Sequence, residues 1–374
     1  MAARTSYMPI NDLTVVLTLK DRSAFTYRWM QWMEAQRFPY KILIADGGSD
    51  RAIEQHLLDR RHYPSLDYEY IRYPFDSDLH AYMTKLSDVA DRVRTEFVLS
   101  ADNDDLILLE PLQANLAELR ERKSVHTLGP VHYWFKIRKT VKSSSELVGA
   151  GSATVEYTRD KPTVDTLLED GDPLTRLFRV VESVYSPLIY YGIHRTADYR
   201  RINHGAVTLG FRRRVFREWY TLYVYALSGE MVLGRADRPF MLRQHDTSQS
   251  ATEINPVENL ANIYLLPDWS EQLYGMMGDL FQLCKEMGSA VPRHEFEERF
   301  RGAFRKQMLS WLQFRDLAER FRRFPRLYAC GRWLFALYRG EAASAISPRE
   351  LQANPLLQKA AHFIRDYKGP HSHP

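Results

Sequence analysis

The chain has 374 residues, enough to bury a full core, and its 45% hydrophobic and 26% charged content excludes wholesale disorder. Its net charge of +4, from 51 basic against 47 acidic residues, is too mild to point to nucleic acid as a partner. Only two cysteines, Cys284 and Cys330, occur, too few for a disulfide framework and suited to a reducing compartment.

The opening residues, MAARTSYMPINDLTVVLTLKDR, lack the basic region, long apolar stretch and small-residue cleavage site of a signal peptide. No window holds the roughly 18 uncharged apolar residues of a membrane span. A cytoplasmic protein is therefore expected. LTVVLTL (13–19) has the composition of a buried strand, and a helix follows on Phe25, Trp29, Trp32 and Met33 with Ser23 as its N-cap. YKILIADGGSD (40–50) reads as a strand entering a glycine turn, before a charged helix over about 50–61. A strand over 67–73, a helix over 79–94, a strand over 96–102 and a helix over 111–123 come next, with Pro111 in the first turn of the last. Strand and helix thus alternate, which predicts parallel strands with crossover helices. Lys20-Asp21, Asp46-Gly47-Gly48 and Asp102-Asn103-Asp104 then all fall at the carboxyl ends of strands, where open sheets of this kind bind ligands.

Residues 140–172, rich in Ser, Thr and Gly, read as a loop insertion. Order resumes with strand-like residues over 181–196 and a helix over 212–227, and from about 256 the pattern is mainly helical. In FVLSADNDDLILLEP (97–111), Asp102, Asn103, Asp104 and Asp105 stand together after an apolar run. Like charges at this spacing repel unless compensated, so three readings are open: a solvated turn, a cap for the helix at Pro111, or a metal-binding loop.

The succession of VVLTLKDR, IADGGSD and MTKLSDVADRVRTEFVLSADNDD resembles the family 2 nucleotide-sugar glycosyltransferases, which commonly carry a VDDGSTD-like turn, an ARN-bearing helix and a DADD-like turn. Lys85 falls near the arginine of ARN. Downstream, REWYTLYVYALSGEMVLGRADRPFMLRQHDTSQS (217–250) follows the family's plan of a catalytic acid, a glycine, a strand and an R-x-H-x-x-S-x-S-like end, here Arg243, His245, Ser248 and Ser250. The resemblance spans about residues 12–250. The first turn departs from it, offering Lys20-Asp21-Arg22 in place of Pro and Asn. The Gln-x-x-Arg-Trp signature and membrane helices of processive synthases are missing, which implies addition of single sugars.

The resemblance implies a GT-A (Rossmann-like) α/β domain over 1–254, with a mixed, mainly parallel sheet flanked by helices, and a helical region over 255–374. It implies a UDP- or GDP-type sugar donor, a sugar, lipid-linked or protein acceptor, and Mn²⁺ or Mg²⁺ as cofactor. A divalent cation neutralises a departing diphosphate and acts as a Lewis acid. By the same resemblance Asp104, Asp102 and His245 hold the metal, and Asp102 also contacts ribose with Asn103 beside it. Thr18, Lys20, Asp21 and Arg22 line the nucleotide pocket, although Asp21 also suits a cap on the first helix. Asp46 accepts a hydrogen bond from the base, and Gly47 and Gly48 let the backbone come close. Lys85 pairs with Asp46, reaches the diphosphate, or is simply solvated. Arg243 meets phosphate. Asp105 reads as structural. Glu218, at the head of an apolar helical face, is the expected base for an inverting reaction, with Asp198, Glu230 and Asp237 as rivals and a surface ion pair with Arg214 or Arg217 as the plainer account.

The stretch 293–340 carries twelve basic and five acidic residues, with Phe296, Phe300, Phe304, Trp311, Phe314, Leu317, Phe321, Phe324 and Tyr328 at near-helical steps. Packing on the catalytic part or in a homodimer is the first expectation for this stripe, and peripheral contact with an anionic membrane surface the second. Two other functional classes are weighed. One is a catalytically degenerate GT-A protein that only binds nucleotide sugars. The other is a haloacid-dehalogenase-type phosphatase, whose Asp-x-Asp turn generally follows the first strand, not the fourth.

Overall fold

The computed structural model describes residues 12–129, 132–138, 148–149, 154–159, 171–182, 189–234, 239–244, 267–322, 344–367 and 369. Four parallel strands, β1 (Leu13–Leu19), β2 (Lys41–Asp46), β3 (Tyr68–Arg72) and β4 (Phe97–Asp102), alternate with α1 (Ser23–Ala35), α2 (Arg51–Leu58) and α3 (Leu79–Arg92). β5 (Leu106–Ile107), α4 (Leu109–Glu121), β6 (Val125–Gly129), β7 (His132–Arg138) and β8 (Thr154–Arg159) follow. After α5 (Pro173–Glu182) and a 3-10 turn at Ile189–Tyr191 come β9 (Ile193–Arg195), α6 (Thr196–Leu209), α7 (Arg214–Ser228), β10 (Glu230–Leu233) and β11 (Met241–Gln244). The C-terminal part holds α8 (Trp269–Glu286), α9 (Arg293–Arg322), β12 (Ser344–Ala345), α10 (Pro348–Ala353) and α11 (Pro355–Asp366).

A seven-stranded sheet runs β10-β6-β9-β4-β1-β2-β3, with β9 alone antiparallel to its neighbours. The expected mainly parallel sheet flanked by helices is present. The chain steps from β1 outward to β2 and β3, then crosses back to place β4 on the other side of β1. That reversal opens a crevice at the carboxyl ends of β1 and β4, the place where such sheets bind ligands. A second sheet, β12-β8-β7-β11-β5, starts where the first ends, because only Asn103, Asp104 and Asp105 separate β4 from β5.

The apolar run of β1 is continuous because both its faces are buried. Leu13, Val15 and Leu17 share a core with Trp29, Trp32 and Met33 of α1 and Leu112 and Leu116 of α4. Val16 packs on the other face with Leu43 and Val98 against Leu86, Val89 and Ala90 of α3. Each such side chain contributes about 1.5–3 kcal/mol by leaving water. A further core joins Leu177 and Phe178 of α5, Phe216, Trp219 and Tyr223 of α7, Met276 and Leu280 of α8, and Phe296, Phe300 and Phe304 of α9. The first three residues of the basic amphipathic stripe are therefore packed inside the protein, and the side chains from 310 to 343 lie outside the described residues. α11 returns to the first core, with Phe363 against Trp32 at 5.0 Å between ring centroids. The expected boundary at 254 falls among residues outside the description, as does Asp237.

Three local expectations are corrected. Ser23 does not cap α1. The N-cap is Arg22 in a left-handed conformation, with no side-chain cap, so Ser23 is already helical. Residues 154–159, read as loop, form β8, whose partner β7 supplies the ladder that composition could not reveal. Of the strand expected over 181–196, residues 181 and 182 end α5 and, among the described residues, only Ile193–Arg195 is a strand, wedged between β4 and β6.

Candidate functional site

The acidic loop lies at the crevice and joins the two sheets. β1 and β4 pair in a register that sets Thr18 beside Asp102, and the Thr18 hydroxyl donates to Asp102 Oδ1 at 3.4 Å. The Tyr191 hydroxyl donates to Asp102 Oδ2 at 2.6 Å. Asn103, Asp104 and Asp105 are all buried. The solvated-turn reading thus fails. The capping reading fails too, because the N-cap of α4 is Leu108 and no side chain caps that helix.

Each loop residue is held differently. Asn103 donates to Thr26 Oγ1 at 3.1 Å and to the Arg22 carbonyl at 3.4 Å. It ties the loop to the first turn of α1. Asp104 Oδ2 accepts from Arg22 Nη1 at 3.2 Å. Arg28, fully buried on α1, donates to the Asp104 carbonyl at 2.8 Å, to Gln244 Oε1 at 2.8 Å and to the Val148 carbonyl at 2.9 Å. Burial lowers its pKa to about 10, which still leaves it a cation. Asp105 accepts from Arg243 Nε at 3.0 Å and from the Gln244 backbone N–H at 3.2 Å. β11 brings these donors, because it pairs with β5 on one side and sets Arg243 opposite Trp134 of β7 on the other. Arg243, expected to meet phosphate, instead neutralises Asp105 from between Trp134 and Tyr191, at 4.7 and 3.9 Å from their ring centroids. Burial is the largest influence and would lower its pKa, but the charges of Asp105 and Asp102, with Tyr191 and the hydrogen bond to Asp105, together outweigh it and raise the pKa.

The turns at the ends of β1 and β2 interlock. Asp21 does not cap α1. Its carboxylate accepts from the Ser49 N–H at 2.5 Å, the Ser49 hydroxyl at 3.0 Å and the Asp50 N–H at 2.8 Å, fixing the start of α2. Burial opposes its ionisation, yet these hydrogen bonds win and lower its pKa. Asp46, fully buried, accepts from the Gly48 N–H at 2.7 Å, the Tyr70 hydroxyl at 2.6 Å and Arg72 Nη1 at 3.0 Å. Both its oxygens are engaged in shaping the turn. A Cβ on Gly47 would collide with the Asp76 carboxylate, and one on Gly48 with the Asp21 backbone. Close packing of the turn, then, is what requires these two glycines.

Lys85 is neither solvated nor paired with Asp46. It is buried, forms an ion pair with Asp76, and donates to the Leu19 carbonyl at 3.1 Å. Burial lowers its pKa and raises that of Asp76, while each charge pulls the other back. Lys20 lies 5.2 Å from the ring centroid of Phe75, a large apolar side chain left half exposed beside the crevice. Glu218 departs from expectation: its side chain is 57% exposed and stands 3.6 Å from Arg214, one turn earlier on α7. Of its rivals, Asp198 pairs with His126 at 2.7 Å and Glu230 with Arg122 at 3.5 Å. His245 lies outside the described residues.

Sequence reasoning passed over Tyr191, Arg28, Asp76 and Trp134. Arg28 alone left a signal, as a cation set among Phe25, Trp29 and Trp32 on the apolar face of α1.

The donor set suits a hard divalent cation. Asp102, Asp104 and Asp105 each offer an oxygen, all within 4.8 Å of one another. Such carboxylate sets suit Mg²⁺, Ca²⁺ or Mn²⁺. Asp105 is committed to Arg243 and Gln244, which leaves Asp102 and Asp104 as the residues that would hold the ion. Burial, reinforced by the neighbouring charge of Asp104, raises the pKa of Asp102, and a cation would offset both effects.

No protein-family model matches the sequence, and no curated protein matches it. Solved structures similar over most of the chain include S. aureus TarS 1–349, at 14% identity over 81% of this chain and 91% of that one, with a TM-score of 0.40. TarS 1–349 in complex with UDP-GlcNAc gives 15%, 81%, 92% and 0.42. The mannosyltransferase PcManGT from Pyrobaculum calidifontis in complex with GDP-Man and Mn²⁺ gives 11%, 79%, 84% and 0.41. Among the described residues, no helix is long and apolar enough to cross a membrane.

Proposed function

We propose that the protein is a non-processive glycosyltransferase that moves a sugar from a UDP- or GDP-type donor to an acceptor hydroxyl, with inversion and with a divalent metal. One observation carries this reading. Asp102 and Asp104 stand together at the crevice between β1 and β4, beside the basic turn Lys20-Asp21-Arg22, in an oxygen-only set. A cation held by Asp102 and Asp104 would supply charge neutralisation and Lewis acidity at the departing diphosphate.

The chain's own residues prepare that site. Thr18 and Tyr191 orient Asp102 through its two oxygens. Arg28 fixes the backbone at Asp104, and Arg243 pairs with the third carboxylate, so both hold the loop in shape. Lys20 and Arg22 place positive charge where a diphosphate would lie.

The test is calorimetric binding of a panel of UDP- and GDP-sugars with and without Mn²⁺, followed by turnover. Wild type should bind one donor in a Mn²⁺-dependent way, and Asp104→Ala should abolish turnover. A folded Asp104→Ala protein with an unchanged rate would reject the assignment.

A further inference from the structure

Two guanidiniums answer the acidic loop, and they are not equivalent. Arg243 has a side chain 12% exposed, is enclosed by two aromatic rings, and meets Asp105, itself 2% exposed. Arg22 has a side chain 18% exposed, rests on one ring, that of Phe25 at 4.2 Å from its centroid, and reaches Asp104 Oδ2 at 3.2 Å. The main chain of Arg22 is fixed, since its carbonyl accepts from the backbone N–H groups of Phe25 and Thr26 and from Asn103. Its side chain is the part with room to move.

The backbone there is also unusual. Asp21 and Arg22 are consecutive non-glycine residues with φ of 61° each, a left-handed conformation that L side chains adopt at a cost. Strain of this kind persists where surrounding structure enforces it, and it clusters at binding sites. Here it delivers the guanidinium to one of the two carboxylates that would hold the cation.

From this arrangement we infer that Arg22 is an exchangeable counter-ion, paired with Asp104 until metal and diphosphate arrive together, when it transfers to the diphosphate. The inference rests on the proposed metal-and-diphosphate reading of the site. A cation entering alone must take Asp104 from Arg22 and then stand beside an unpaired like charge. A cation entering with a diphosphate offers Arg22 a new anion, for which a guanidinium is well shaped. Metal and nucleotide then bind cooperatively, each tightening the other by the same factor. Arg22 is thus a positioning and coupling residue whose removal changes the two affinities in opposite directions.

The experiment compares wild type with Arg22→Asn, because Asn tolerates the left-handed backbone, and with Arg22→Lys, which keeps the charge. Mn²⁺ affinity is read by electron paramagnetic resonance titration, alone and with UDP or GDP. In Arg22→Asn, Mn²⁺ alone should bind roughly two- to fivefold tighter, the scale of one partly exposed ion pair that no longer competes. Nucleoside diphosphate binding at saturating Mn²⁺ should weaken at least as much, and Arg22→Lys should fall between. Equal or weaker binding of Mn²⁺ alone to folded Arg22→Asn overturns the inference. Should neither UDP nor GDP bind wild type, the functional reading fails separately, while the Mn²⁺ arm still decides whether Arg22 and the cation compete.

Discussion

Arg243 donates its Nε–H to Asp105 at 3.0 Å while its guanidinium lies between the rings of Trp134 and Tyr191. This one side chain links the second sheet to the acidic loop and, through Tyr191, to Asp102. Burial pushes the Asp105 carboxyl up to about 7, against the pull of Arg243. An enclosed pair of this kind contributes little when compared with an apolar replacement, but losing one partner strands a buried charge.

Arg243→Met should therefore cost about 3–5 kcal/mol of stability. Arg243→Met combined with Asp105→Asn should cost less than the two single changes added together. Urea unfolding of the four proteins in a double-mutant cycle measures the coupling, and strict additivity would show that the pair is not a unit.

How far the sequence disclosed this site follows from chain distance. The acidic loop, the glycine turn and the strands leading into them are local patterns, and each was readable from a dozen neighbouring residues. The partners were not. Arg28 reaches Asp104 across 76 positions, Tyr191 reaches Asp102 across 89, and Arg243 reaches Asp105 across 138. Only the order of strands sets these meetings. The bounds of β9 were hidden for a related reason: it is three residues long, within a longer strand-like stretch, and is set by β4 and β6 on either side. Ser23 misled because its capping chemistry is real but the chain enters α1 through a left-handed Arg22 instead.

The C-terminal helices offer a second test. Phe300 is fully buried and meets Tyr223 of α7 edge-on, with ring centroids 5.7 Å apart. If the stripe on α9 is core, Phe300→Ala should destabilise the whole chain by about 3–5 kcal/mol. A single cooperative transition shifted to lower temperature, seen by calorimetry, is the expected result. A separate low-temperature transition, with the rest unmoved, would mean that α9 folds apart from the sheet.

His194 provides the pH dependence. It sits on β9 in full burial, stacked on Tyr225 with ring centroids 4.1 Å apart and planes at 9°, with Nδ1 3.2 Å from Thr127 Oγ1. Burial lowers its pKa from the ordinary 6.5 to about 3. The unfolded chain takes up a proton below about pH 6.5 that the folded chain refuses until near pH 3, so the unfolded state binds more protons across that window. Stability contributed by the neutral ring is complete above about pH 6.5 and declines as the pH falls. The slope approaches about 1.4 kcal/mol per pH unit, which makes the loss about 2 kcal/mol by pH 5. His194→Gln, neutral throughout, should show a correspondingly shallower decline between pH 7.5 and pH 5 in urea unfolding. Parallel pH profiles for the two proteins would show that acid sensitivity arises elsewhere and that the buried ring is not held neutral by its surroundings.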